Sequence, residues 1–412
     1  MNQKLRSGSF WNMMGSGMMA ANTVLLNMLV GHFFDLNEVG MFSLALTTSQ
    51  VLYSLALFGA NDLQMTDYRH RYRFSSYVGV KVFSTVLAAA ACFLVILVLQ
   101  IEEAARTYTV LLTGFALVNS LAELYQSLYF QCQRLDLSGK SLFYRYFLST
   151  FAFFAGFWLV RSVTAACAWM LAADIAVSLW WILRYERSFR DSGYMPEPAQ
   201  TICLAKEAFP LCLSVLGSLL IINGPKYLIN AWLPDEIQGA YSILFMPTYA
   251  VNLIGQFAFK PFFHRYAQTL QEDQRAFRRL FASHAAAIGL LAFGGGITMW
   301  LIGARVLLLL FGQDLQSYRR MMFLFMLSGG VLAINQLLYY IMVILCKQKA
   351  ILLIYLSGMA FTLLSGWMFV PRCSIGGAWI SFSAGQLCLL TGYLLVLHRY
   401  LRKEERGDKN EK

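Results

Sequence analysis

The chain has 412 residues, of which 58% are hydrophobic and 13% charged, and it carries a net charge of +11 at pH 7. Soluble domains carry about 25% charged residues. A chain with roughly half that charge and a mean hydropathy of +0.55 is too apolar to cover a soluble surface, whereas lipid is as apolar as leucine and asks for no such cover.

A membrane span needs roughly 20 apolar residues, and twelve runs of that kind follow one another along the chain. The first six are Phe10–Gly31, Val39–Gly59, Tyr77–Gln100, Tyr108–Phe130, Leu142–Val160 and Val163–Leu183. The second six are Ala205–Trp232, Gln238–Phe259, Phe281–Ile302, Met321–Cys346, Ile351–Val370 and Ile375–Leu397. Barrel strands would be segments of about 10 residues with strict alternation, and none of these runs alternates. The first run is of full span length and only Lys4 and Arg6 precede it as basic residues. It is expected to be a retained helix rather than a cleaved signal.

Charge gives the topology. With the N-terminus inside, the inward connections hold 26 Lys and Arg, Lys81 and Arg145 among them, and the outward ones hold 6. Cytoplasmic loops are rich in Lys and Arg, so both termini are expected in the cytoplasm. The basic excess is a topology signal and an attraction for anionic lipid heads, not a nucleic-acid footprint.

The chain repeats itself. Gly40-Met41-Phe42-Ser43-Leu44 begins the second run and Gly239-Ala240-Tyr241-Ser242-Ile243 the eighth. Arg161 precedes Ala168-Trp169 as Arg372 precedes Ala378-Trp379, and Leu128-Tyr129-Phe130 has its counterpart in Leu338-Tyr339-Tyr340. The expected organisation is an all-α polytopic protein of about twelve spans, in two pseudo-symmetric six-helix bundles around a central cavity. Residues 1–184 form the first bundle, 185–204 a cytoplasmic linker, 205–398 the second bundle and 399–412 a basic cytoplasmic tail.

Enzyme chemistry is sparse. There is no Walker A motif, no H-E-x-x-H and no G-x-S-x-G. The eight cysteines form no C-x-x-C pair and read as small core hydrophobes. No catalytic residue, cofactor or metal is expected.

Ionisable residues inside spans are rare and costly, at least ~2.5 kcal/mol each, so they are the candidate site. Lys226 lies in Asn223-Gly224-Pro225-Lys226-Tyr227, where Gly and Pro are expected to break or kink the seventh helix. It reads either as a cation for an anionic head group or as a lysine snorkelling to the interface. Asp174, in the sixth span, is either a cavity carboxylate or a helix–helix partner, and Glu123 in the fourth has the same two readings. His284 reads as a satisfied interface residue. Asn61, Asp62, Gln64 and Asp67 close the second span, and Gln131, Arg134 and Asp136 the fourth. These polar clusters are either loop caps or a first contact for substrate. Trp158, Trp169, Trp180, Trp181 and Trp232 sit near span ends, where tryptophan anchors to the membrane interface.

Several segments resemble bacterial polysaccharide flippases. They are Phe58-Gly59-Ala60-Asn61-Asp62-Leu63-Gln64-Met65-Thr66-Asp67, Gln131-Cys132-Gln133-Arg134-Leu135-Asp136, Asn223–Tyr227 with Asp235–Gly239 and Phe245-Met246-Pro247, and Leu310-Phe311-Gly312. The likeness is to the polysaccharide-transporter branch of the multidrug/oligosaccharidyl-lipid/polysaccharide exporter superfamily. It implies a flippase for an undecaprenyl-pyrophosphate-linked oligosaccharide in a bacterial plasma membrane. Membrane lipids, and a glycan polymerase or other assembly proteins, would be its neighbours. Three other readings stay open: a cation-coupled drug or metabolite antiporter of the same fold, a membrane glycan polymerase or ligase, and a non-transporting scaffold.

Overall fold

A backbone in lipid has no water to bond to, so each apolar run must close its hydrogen bonds within itself. The computed structural model describes residues 3–67, 71–98, 102–185, 195–259, 262–345 and 347–407, and no strand occurs among them. Its helices are α1 (Gln3–Phe33), α2 (Leu36–Leu57), α3 (Ala60–Thr66), α4 (Phe74–Val98), α5 (Glu103–Gln131), α6 (Leu135–Val160) and α7 (Val163–Tyr185). There follow α8 (Pro198–Trp232), α9 (Asp235–Phe259), α10 (Phe263–Glu272), α11 (Gln274–Phe311), α12 (Arg319–Ile344), α13 (Gln348–Cys373) and α14 (Ile375–Gly407). Among the described residues, eleven helices are long and apolar enough to cross a bilayer. The remaining expected span, Gln238–Phe259, falls on α9, a continuous helix of 25 residues that carries Gln238, Thr248, Asn252 and Gln256. The chain is a multi-pass membrane protein of the expected all-α class.

The chain divides into two units, Met1–Leu216 and Gly217–Lys412, and the boundary falls within α8. Of the expected linker, residues 186–194 lie outside the described residues and Pro198–Leu204 are the first turns of α8. The first part of the basic tail continues α14 to Gly407, and 408–412 lie outside the described residues.

In the first unit α1 packs along α6, α2 on α5 and α4, and α7 on α6 and α5. The second unit repeats these pairings in chain order. There α9 packs on α12 and α11, and α14 on α13 and α12. The C-terminal half of α8 lies on α13, where Gly217 faces Tyr355 and Gly224 faces Thr362 and Leu363. The two repeat segments Gly40–Leu44 and Gly239–Ile243 are buried on every side of their helices.

Each unit also inserts a short helix after its second span, α3 in the first and α10 in the second. Phe58 (φ 54°) and Gly59 (φ 70°) both adopt the left-handed conformation and turn the chain from α2 into α3. A side chain at Gly59 would meet Leu211 Cβ at 2.8 Å, so glycine serves there both for its dihedral and for close packing.

Three expectations need correction. The seventh span is not broken, because α8 runs helical through Gly224-Pro225. Proline deletes one N–H, and the hydrogen bonds on either side carry the helix past it. Lys81 and Arg145 are not loop residues, since α4 starts at Phe74 and α6 at Leu135, which places both cations inside membrane helices. Trp181 is not an interface anchor, because it is buried against Tyr129 and Leu137.

Candidate functional site

The charged interior of the first unit begins where α2 ends. The last carbonyls of a helix have no partner in their own helix. Here the Ala56 carbonyl accepts the Ser84 hydroxyl at 2.7 Å and Lys81 Nζ at 3.3 Å, both from α4. Lys81, 1% exposed, also donates to Asn61 Oδ1 at 2.7 Å and to Ser120 Oγ at 3.2 Å. The Asn61 amide in turn donates to Glu123 Oε2 at 3.4 Å, and the Tyr53 hydroxyl donates to Glu123 Oε1. Glu123 is partly buried and Asn61 buried.

Residues three and four apart share a helix face, and α5 uses that spacing to join two clusters. Ser120 and Glu123 look to Lys81 and Tyr53, while Asn119 looks to α6 and α7. The Asn119 amide donates to Asp174 Oδ2 at 2.9 Å. Its own carboxamide oxygen accepts from Arg145 Nη2, which also reaches the Asn119 carbonyl at 3.2 Å. Arg145 Nε lies 3.6 Å from Asp174 Oδ1, with both side chains fully buried. Two cations, Lys81 and Arg145, and two carboxylates, Glu123 and Asp174, thus sit in one connected interior. A buried charge is tolerable when paired and hydrogen-bonded, and this set balances to zero.

At the end of α2 and α3 the polar groups brace a loop. Asp67 accepts the Arg71 and Tyr72 backbone amides at 2.9 and 3.1 Å and the Tyr77 hydroxyl at 3.1 Å. Gln131 donates to the Asp67 carbonyl at 2.7 Å. Arg71 pairs with Glu207, and the Tyr72 hydroxyl donates to the same carboxylate at 2.8 Å. Burial, and then contact with Cys203, hold the Tyr72 hydroxyl above the ordinary phenol range. Arg134 grips Asp136 with two bonds of 3.0 Å at the start of α6. Gln64 is 0% exposed, and neither amide atom has a hydrogen-bond partner.

The second unit is different. Among its described residues Lys226 is the only charged side chain that is fully buried, at 7% exposure. One turn before it, Asn223 is 1% exposed and neither atom of its carboxamide has a hydrogen-bond partner. Among the described residues, the buried side-chain hydrogen bonds elsewhere in this unit join neutral groups. Asn335 of α12 donates to Gln386 Oε1 of α14 at 2.8 Å, and Thr248 of α9 donates to the Phe325 carbonyl at 3.1 Å. His284 bonds the Tyr266 hydroxyl at 2.8 Å, as an interface residue should.

The sequence candidates therefore part company. Asp174 and Glu123 join one network, Lys226 and Asn223 lie in the other unit, and Arg134 and Gln131 are local braces. Sequence reasoning missed Lys81, Arg145, Asn119 and Tyr53. The available signal was the depth of Lys81 and Arg145 in their helices. Among the described residues no three His, Cys, Asp or Glu side chains are grouped to hold a metal ion.

No protein-family model matches the chain, and no curated protein matches it. Solved structures do. The Vibrio cholerae MATE transporter VcmN in its bent form is similar over 98% of this chain and 97% of its own, with 15% identity and a TM-score of 0.59. The eukaryotic MATE transporter AtDTX14 is similar over 96% of each chain, with 14% identity and a TM-score of 0.64. The lipid II flippase MurJ in an inward closed conformation is similar over 95% of this chain and 86% of its own, with 9% identity and a TM-score of 0.61. The chain has the transporter fold that the MATE proteins and MurJ share.

Proposed function

We propose that the chain is a flippase that moves an undecaprenyl-pyrophosphate-linked oligosaccharide from the inner to the outer leaflet by alternating access, in cell-surface polysaccharide biosynthesis. Lys226 carries this reading. Among the described residues of the second unit it is the buried charge, and one turn before it stands a carboxamide with no hydrogen-bond partner. A pyrophosphate would meet the cation, and a sugar or phosphate oxygen would meet Asn223. The fold supports the reading, since one of its solved examples is a lipid flippase. An anion leaving a negative interior also moves downhill, by about 2.3 kcal/mol per charge at 100 mV.

With Lys81 and Arg145 taken out of the loops, the basic count remains 24 inward against 6 outward. That bias supports cytoplasmic termini in a bacterial plasma membrane. The reading requires no enzyme activity, cofactor or metal from this chain.

A deletion strain tests the proposal. Loss of surface polysaccharide with build-up of the lipid-linked precursor on the inner leaflet is the expected result. Normal polysaccharide in that strain would refute it. The second reading, a cation-coupled antiporter, is favoured by one observation, the deep carboxylate Asp174. It requires Asp174→Asn to abolish drug efflux while surface glycan stays intact. Its weakness is that Asp174 is already engaged by Arg145 and Asn119.

A further inference from the structure

The two short helices that follow the second span of each unit differ in how their charges are met. Beside α3, Arg71 is neutralised by Glu207. Beside α10, a cleft of about 680 Å³ opens between that helix and the first turns of α11, and Arg265, Arg275 and Arg279 line it. Among the described residues none of the three makes an ion pair. Asp273 also lines the cleft, but it caps α11, accepting the Arg275 and Ala276 amides at 2.9 and 3.1 Å. These four groups together leave two positive charges facing the cleft.

The cleft stands at the start of a helix of membrane-spanning length. Its α11 wall is the opening of a helix long and apolar enough to span the membrane. α10 is held down by Tyr266 and Leu270, both buried, and by the Tyr266–His284 bond. Its polar residues Arg265 and Thr269, one turn apart, face the cleft. Guanidinium forks match phosphate oxygens in pairs, and basic residues beside a span attract anionic lipids.

We propose that the cleft formed by Arg265, Arg275 and Arg279 binds the head group of an anionic membrane phospholipid. The site is separate from Lys226 and independent of what the protein transports.

The test uses the full-length purified protein with phosphatidylglycerol or phosphatidylcholine, bound lipid being read by native mass spectrometry and by thermal shift. Each interfacial arginine contributes about fivefold in affinity. The triple variant R265Q/R275Q/R279Q should therefore bind phosphatidylglycerol about 100-fold more weakly. The triple Arg→Lys variant, which keeps the charge, should bind within about tenfold of the wild type. R106Q/R305Q/R320Q, which removes equal charge away from the cleft, should bind normally. The proposal is overturned if the cleft variant binds as the wild type does, or if the control loses as much. It is also overturned if inorganic phosphate at millimolar concentration displaces the lipid, which would make the cleft a site for a soluble anion.

Discussion

The first unit holds its buried charges in balance, and the described residues of the second hold one buried cation. In both, an asparagine on the fourth span reaches the sixth, as Asn119 reaches Asp174 and Asn335 reaches Gln386. In the first unit that link recruits Arg145 and extends through α5 to Glu123, Asn61 and Lys81. In the second it stays neutral, and the one fully buried charge among the described residues, Lys226, stands elsewhere. The contrast separates two uses of buried polarity: a charge-balanced network holds helices in register, while a buried cation one turn from an unpartnered carboxamide leaves capacity for something that arrives.

Substitutions can break that contrast in a graded order. Arg145→Ala should have the largest effect, because it strands Asp174 as a buried charge, at a cost of about 3–5 kcal/mol. Unfolding in mixed detergent followed by circular dichroism would show it, and replacing Arg145 and Asp174 together by apolar residues should recover most of the loss. Lys81→Met comes next. It removes the donor to Asn61, Ser120 and the Ala56 carbonyl, and should cost about 2–3 kcal/mol in the same assay. Asn335→Leu breaks only a neutral link in the second unit and should cost about 1 kcal/mol, in line with interhelical hydrogen bonds in membranes. Glu207→Gln should be the mildest. Its pair with Arg71 is 39% and 60% exposed on the two sides, so less than about 1 kcal/mol is at stake. If Asn335→Leu proved as damaging as Arg145→Ala, the distinction between the units would collapse.

Much of this was legible in the sequence. The apolar runs marked the spans, and Gly40–Leu44 with Gly239–Ile243 marked the repeat, because a helix buried on all sides is largely apolar all round. The polar interior was less legible, for a definite reason. Hydropathy averaging starts a span where the apolar run starts, at Leu142 for α6, whereas the helix begins at Leu135. Those two turns carry Arg145 from the apparent edge of the membrane to the interior. The same error at Phe74 hid Lys81. Side chains that meet one another, such as Lys81 with Asn61 and Asn61 with Glu123, sit on different helices, and only the packing of α3, α4 and α5 brings them together. For the Gly224-Pro225 pair, expected to break or kink its helix, the break is absent, since one lost hydrogen bond does not end a helix of 35 residues.

The central claim is that Lys226 meets an anionic lipid-linked substrate, and a leaflet-resolved flipping assay tests it most directly. Purified wild-type, Lys226→Met and Lys226→Arg proteins would be reconstituted with a polyprenyl-pyrophosphate oligosaccharide, and the outward fraction scored by an impermeant lectin. Holding a cation inside the protein is expensive, so Lys226→Met should fold as stably as the wild type. The expected result is at least a tenfold loss of flipping for Lys226→Met, corresponding to about 1.4 kcal/mol, with activity largely kept by Lys226→Arg. Equal flipping by the wild type and Lys226→Met would contradict the account.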